Sequence, residues 1–68
     1  MRTVKVTFHI SGVKEVRHYK IYRSTKESSD IRRLINRIKD AGLTYLEGNT
    51  YKHVPFHKID LLELEIIS

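Results

Sequence analysis

The 68 residues allow one domain, and the absence of cysteine excludes disulfide bonds and thiolate-based metal or catalytic sites. The formal net charge of +5 favours an anionic partner. The sequence contains neither a secretory signal nor an apolar run near the ~20 residues of a membrane span, so we expect a cytoplasmic protein.

The charge is unevenly distributed along the chain. Residues 1–42 contain eleven Lys and Arg against four Asp and Glu, a net of +7, whereas residues 43–68 contain two against four, a net of −2. This layout predicts one of two things: a basic surface that meets an anion such as nucleic acid, or mutual neutralisation of the two parts within the fold.

Two strands are predicted before the helix. Thr3–Ile10 alternates apolar and polar residues, which is typical of a strand with one buried face. Val16–Arg23 is the second strand. Its inward residues are predicted to be Tyr19 and Ile21, and its outward residues His18, Lys20 and Tyr22.

The connection between these strands determines their register. A two-residue turn at Ser11-Gly12 would place Glu15 opposite Phe8 and bring Arg17 onto the same apolar face. Because both charges would then face the core, the pattern favours a loop of about five residues, which pairs Phe8 with Tyr19 instead.

A helix is predicted next. Ser24 and Glu27 have the spacing of a capping box, and Gly42 is a natural stop. The apolar residues follow helical spacing, at Ile31, Leu34, Ile35 and Ile38. The opposite, solvent-facing side carries Arg32, Arg33, Asn36, Arg37 and Lys39.

Three short strands follow the helix. Leu43–Leu46 and Thr50–Val54 are joined by a glycine-containing turn, and Leu61–Ile67 ends the chain. The predicted fold is therefore α+β, a small antiparallel-rich β-β-α-β-β-β sheet with one helix packed on one face. Glu63 and Glu65 face outward on the last strand, opposite in charge to the first strand, so we expect the terminal strands to be neighbours.

Two basic surfaces are candidate nucleic-acid sites. Exposed aromatic and cationic residues on a sheet can stack bases and hold phosphates, and a helix with several arginines can bind an anion. The candidate residues on the sheet are Lys5, His18, Lys20 and Tyr22, and those on the helix are Arg32, Arg33, Arg37 and Lys39. For each surface the alternative interpretation is an ordinary solvated face.

The stretch KHVPFHK contains His53 and His57, four positions apart. Two histidines at this spacing come close together on one face only in a helix, and Pro55 between them opposes a helix. A zinc site also needs about four ligands. We therefore interpret the stretch as a loop without a metal, and the sequence implies no cofactor.

Catalysis and association are further possibilities. A metal-free nuclease could use His9 and His18 as base and acid, but no nucleophile elbow or phosphate loop accompanies them. The apolar C-terminal stretch IDLLELEII could pair with a second copy or with another protein. If it does not, it is a central or covered strand.

The closing stretch GNTYKHVPFHKIDLLELEI resembles the ends of small orphan proteins from phages and mobile elements of Gram-positive bacteria. In those proteins a glycine turn and a tyrosine strand precede an isoleucine-spaced final strand. The element order also resembles, at the level of architecture, small phage inhibitors of uracil-DNA glycosylase. Those inhibitors are acidic DNA mimics and this chain is basic, so no residue role carries over. The resemblance implies a phage-like accessory protein that acts by binding.

From these features, the sequence predicts a non-catalytic binding module whose first candidate partner is nucleic acid. The alternative is a regulator of an acidic host protein, acting as a homodimer or by strand addition. A small nuclease is the third possibility.

Overall fold

The computed structural model describes all residues, 1–68, and has the predicted α+β element order. Strands β1 (Arg2–Ile10) and β2 (Val13–Ile21) precede helix α1 (Glu27–Ala41). Strands β3 (Leu43–Glu47) and β4 (Thr50–Val54) form a hairpin, and a 3₁₀ turn (Phe56–Lys58) leads to β5 (Leu61–Ile66). No helix is long and apolar enough to cross a bilayer.

The α+β class is as predicted, but the strands form two separate sheets and not the single sheet that the sequence predicted. One is three-stranded in the order β2-β1-β5, and the other is the β3-β4 hairpin alone. All pairings are antiparallel. The prediction that the terminal strands lie side by side is confirmed, with Lys5 opposite Glu65 and Thr7 opposite Glu63.

The core lies between the three-stranded sheet, the helix and the hairpin. Val4, Val6 and Phe8 of β1 are fully buried, and Leu34 and Ile38 of α1 cover them. The remaining core residues are Ile21, Leu43, Tyr45 and Val54. The alternation along β1 and the helical spacing in α1 therefore identified the buried faces correctly.

The predicted five-residue loop after β1 is wrong. Ser11 and Gly12 form a two-residue turn, and both have positive φ, 50° and 82°, as a type I′ turn requires. Phe8 therefore pairs with Glu15, and Val6 pairs with Arg17. The predicted pairing was displaced by four residues. An even displacement keeps every side chain on its face, so the predicted inward and outward sets of β2 are still correct.

Arg17 is tolerated on the inner face because the hairpin neutralises it. Its guanidinium lies 3.2 Å from the carboxylates of both Glu15 and Glu47, and it stacks over the Tyr45 ring at 4.5 Å. The cation–π contact and the paired charges compensate for partial burial. Glu47 and Tyr45 are distant in sequence, so the local pattern of β2 did not reveal these partners.

The helix begins without the predicted capping box. Lys26 is the N-cap residue and makes no side-chain cap. The Ser24 hydroxyl instead bonds the backbone of Lys26, and the Ser24 N–H donates to the carboxylate of Asp30. The predicted end of the helix is confirmed, since the Gly42 N–H donates to the Ile38 carbonyl at 2.7 Å.

Candidate nucleic-acid interface

The exposed face of α1 carries the largest group of unpaired predicted cations. Leu34 and Ile38 point into the core, so helical geometry directs Arg32 and Lys39 to the opposite, solvent side. Arg32, Arg37 and Lys39 are all exposed and make no salt bridge. These three side chains are available to bind an external anion.

Arg33 has an internal role as well. Its guanidinium donates to the Tyr22 carbonyl and lies 3.4 Å from the carboxylate of Asp30. The side chain is still 43% exposed. It therefore joins the helix to the end of β2, and less of its charge is available to a ligand.

Arg37 lies beside a cavity between the helix end and β3. The cavity measures about 320 Å³, and its lining includes Tyr19, Leu43 and Thr44. The Tyr19 hydroxyl donates to the Thr44 carbonyl at 3.2 Å, and burial raises the pKa of Tyr19. Arg33 and Arg37 thus occupy the flank of the helix that faces β2.

The outer face of the three-stranded sheet is only partly basic. Lys5 is 4.0 Å from Glu65, so β5 partly neutralises β1, and His9 lies 3.8 Å from Glu63, an ion pair only when the imidazole is protonated. These pairs are partly exposed, and each is worth at most about 1 kcal/mol. The face is not a uniform cationic platform, and Lys5 contributes less to a phosphate site than predicted.

The other predicted site residues of the sheet lie on the edge strand β2 or just after it, and all are exposed. His18 and Lys20 point outward, and Tyr22 is 77% exposed just after the strand. The contact between Arg33 and the Tyr22 carbonyl brings this end of β2 against the helix. The predicted site residues therefore form two groups, one on the outer face of the sheet and one on the helix. Tyr22 lies at the end of β2, where the sheet contacts the helix.

The cations that make no salt bridge are concentrated in one part of the chain. Of the thirteen Lys and Arg residues, Arg2, Lys5, Arg17, Arg33 and Lys52 take part in salt bridges. The other eight do not, and six of these lie between residues 20 and 39. They are Lys20, Arg23, Lys26, Arg32, Arg37 and Lys39. We call this set, together with Tyr22, the basic band.

A buried ion pair that the sequence did not reveal supports one end of the basic band. Arg2 Nε donates to Asp30 Oδ2 at 2.7 Å, and both side chains are almost completely buried. Hydrogen bonds from Ser24, reinforced by Arg2, lower the pKa of Asp30 in spite of its burial. In the sequence, Asp30 is indistinguishable from a carboxylate in the first turn of a helix.

A second charge pair lies in the hairpin, away from the basic band. Lys52 Nζ donates to Glu47 at 3.0 Å, which lowers the pKa of Glu47 and raises that of Lys52. Both groups are half exposed, so the pair has a small effect on stability. Lys52 is therefore not part of the free positive surface.

The KHVPFHK stretch spans the end of β4 and the 3₁₀ turn. His53 Nδ1 lies 2.9 Å from the Thr44 hydroxyl, and His57 is exposed in the turn. Both line one shallow cavity with Phe56, but they do not belong to a group of three or more possible metal ligands. The arrangement is that of a strand end followed by a turn.

The two histidines considered for nuclease chemistry lie on the same sheet face. His18 is opposite Lys5, and His9 is four residues further along β1. Four residues of a strand span about 13 Å. This separation does not favour joint action as base and acid on one phosphate.

No protein-family model, curated protein or solved structure matches this chain. The resemblance to phage orphan proteins therefore stays a prediction. The case for a function depends on the geometry of the basic band.

Proposed function

We propose that this protein is a non-catalytic module that binds nucleic acid through the basic band. The observation that carries the proposal is that Arg32 and Lys39, on the solvent side of α1, and Arg37, on its flank towards β2, are exposed and make no salt bridge. Unpaired Lys and Arg bind phosphates by releasing condensed counterions, which provides most of the affinity of basic proteins for nucleic acid.

Tyr22 adds a second kind of contact. Its ring is exposed just after β2, two residues beyond Lys20, and its backbone carbonyl accepts from Arg33 of the helix. An exposed aromatic beside phosphate-binding cations can stack on an unpaired base, which contributes about 1–3 kcal/mol. The basic band thus combines phosphate contacts with one stacking residue.

The proposal predicts that binding depends on the position of the cations and not only on their number. We would measure fluorescence anisotropy of labelled single-stranded and duplex oligonucleotides over a salt series. Arg32→Gln/Lys39→Gln should weaken binding at least about tenfold at low salt and reduce the slope of log K against log salt by about two. The reason is the loss of two phosphate contacts.

The matched control is Lys14→Gln/Lys58→Gln, which removes two unpaired cations outside the basic band. It should change the affinity less than about threefold, through the general field alone. Equal losses in both variants would mean diffuse attraction without a site. If the wild type bound no DNA or RNA at low salt, the proposal would be wrong, and an acidic protein would become the leading partner.

A further inference from the structure

Strand β5 presents an open edge to solvent. It is the last strand of the three-stranded sheet and pairs only with β1. Just beyond the two ends of β5, the Ile67 N–H donates to the Thr3 carbonyl and the Asp60 N–H donates to the His9 carbonyl, so Thr3 and His9 turn their backbone groups towards β5. In an antiparallel ladder the alternate residues then point their N–H and C=O groups away from β1. On β5 these outward groups belong to Leu62, Leu64 and Ile66.

The same edge is apolar. The side chains of Leu62, Leu64 and Ile66 lie on the core face but are only half-buried. Leu61 and Ile67, at the two ends, are each 51% exposed. Unpaired backbone groups beside apolar side chains form a template for an additional strand.

The opposite edge of the sheet is protected. On β2 the outward-facing side chains include Lys14, His18 and Lys20, and charged side chains on an edge discourage pairing. The Arg17 guanidinium also donates to the Val16 carbonyl at 2.7 Å, which occupies an acceptor at that edge. No side-chain hydrogen bond covers the edge of β5.

A second copy of β5 is a poor occupant. Antiparallel self-pairing centred on Leu64 would place Glu63 of each copy opposite Glu65 of the other. Like charges directly opposite each other are destabilising in a sheet. Each carboxylate is more than 60% exposed. Glu65 has only Lys5 nearby, at 4.0 Å, and Glu63 has only His9, which is cationic only when protonated, so this repulsion would not be neutralised.

We propose that the free edge of β5 accepts an extended segment of another protein in which apolar residues alternate with Lys or Arg. Its apolar residues would extend the row of Leu62, Leu64 and Ile66, and its cations would face Glu63 and Glu65. The two glutamates select such a segment and prevent β5 from pairing with itself. This proposal is independent of nucleic-acid binding by the basic band.

Two labelled seven-residue peptides with blocked ends test whether the β5 edge prefers a basic segment to an acidic one. One alternates Val and Lys, and the other alternates Val and Glu; both are titrated with the full chain. The net charge of +5 would favour the acidic peptide if attraction were diffuse. We expect the basic peptide to bind at least about tenfold more tightly, with the preference reversed in Glu63→Lys/Glu65→Lys. Equal affinities, tighter binding of the acidic peptide or no binding of the basic peptide would overturn the proposal.

Self-association provides a second readout. The wild type should sediment as a monomer. Glu65→Lys should dimerise more strongly than the control Asp40→Lys, because the lysine introduced in each copy would face Glu63 of the other. Circular dichroism should show that both variants fold. A wild-type dimer that pairs through β5, or no difference between the two variants, would contradict the proposed role of the glutamates.

Discussion

At the scale of single residues, the decisive feature is which charges are already paired. Arg2 and Asp30 appear in the sequence as a cation near the terminus and an acid in the first turn of a helix. In the fold they form a buried pair that joins β1 to α1. Arg32 and Lys39 look similar to Arg2 in the sequence but remain exposed. Their availability depends on contacts between residues far apart in the chain.

The lowered pKa of Asp30 predicts a dependence of stability on pH. Its ordinary value is 3.8, and the fold stabilises the ionised form. The resulting stabilisation is complete above the ordinary pKa and is lost as the pH falls through the lower, folded pKa.

Asp30→Asn tests this prediction. Urea unfolding should show that the wild type is more stable than Asp30→Asn near neutral pH, and that the difference shrinks as the pH is lowered from about 4 to about 2. Asp40→Asn is the control, because Asp40 is exposed and makes no salt bridge. A difference for Asp30→Asn that stays constant down to about pH 2 would refute this account.

At the scale of elements, the sequence was sufficient for the order, the faces and the terminal strand neighbours. Period-two and helical patterns report which side of each element is apolar, and the faces of β1 and α1 follow from them. The register of β2 was not predictable because the partners of Arg17 lie on β3. The outward positions of His18, Lys20 and Tyr22 were still correct, since the error was an even number of residues.

The junction between α1 and β3 offers a prediction at the same scale. Gly42 has φ 75°, and a Cβ there would collide with the Val54 carbonyl and the His53 ring. Gly48 has φ 62° but open space around it. Alanine at Gly48 incurs about 1–2 kcal/mol of backbone strain if that residue is left-handed. Gly42 has ψ −167°, in a region that is essentially restricted to glycine, so alanine there incurs at least as much strain.

Gly42→Ala should therefore destabilise the protein clearly more than Gly48→Ala, because only the former also displaces β4. Urea unfolding of both variants measures the difference. If the two variants lost the same stability, the hairpin would not be held as closely against the helix end as the structure shows.

At the scale of the whole molecule, charge is separated by position. The basic band follows the exposed side of α1 and the end of β2, whereas Glu63 and Glu65 lie on β5 at the far edge of the sheet. The net charge of +5 is therefore an average over two different surfaces, the basic band, which we propose binds an anion, and the β5 edge, which we propose binds a basic strand. These surfaces are separate, so a nucleic acid and a protein segment could bind at the same time.

The central claim is that the basic band contacts nucleic acid, and amide chemical-shift mapping tests it most directly. On titration with an oligonucleotide that binds, we predict that the largest shifts occur at Tyr22, Arg32, Arg37 and Lys39, while Glu63–Ile67 stay unchanged. Shifts centred on β5, or spread evenly over all exposed cations, would contradict the account.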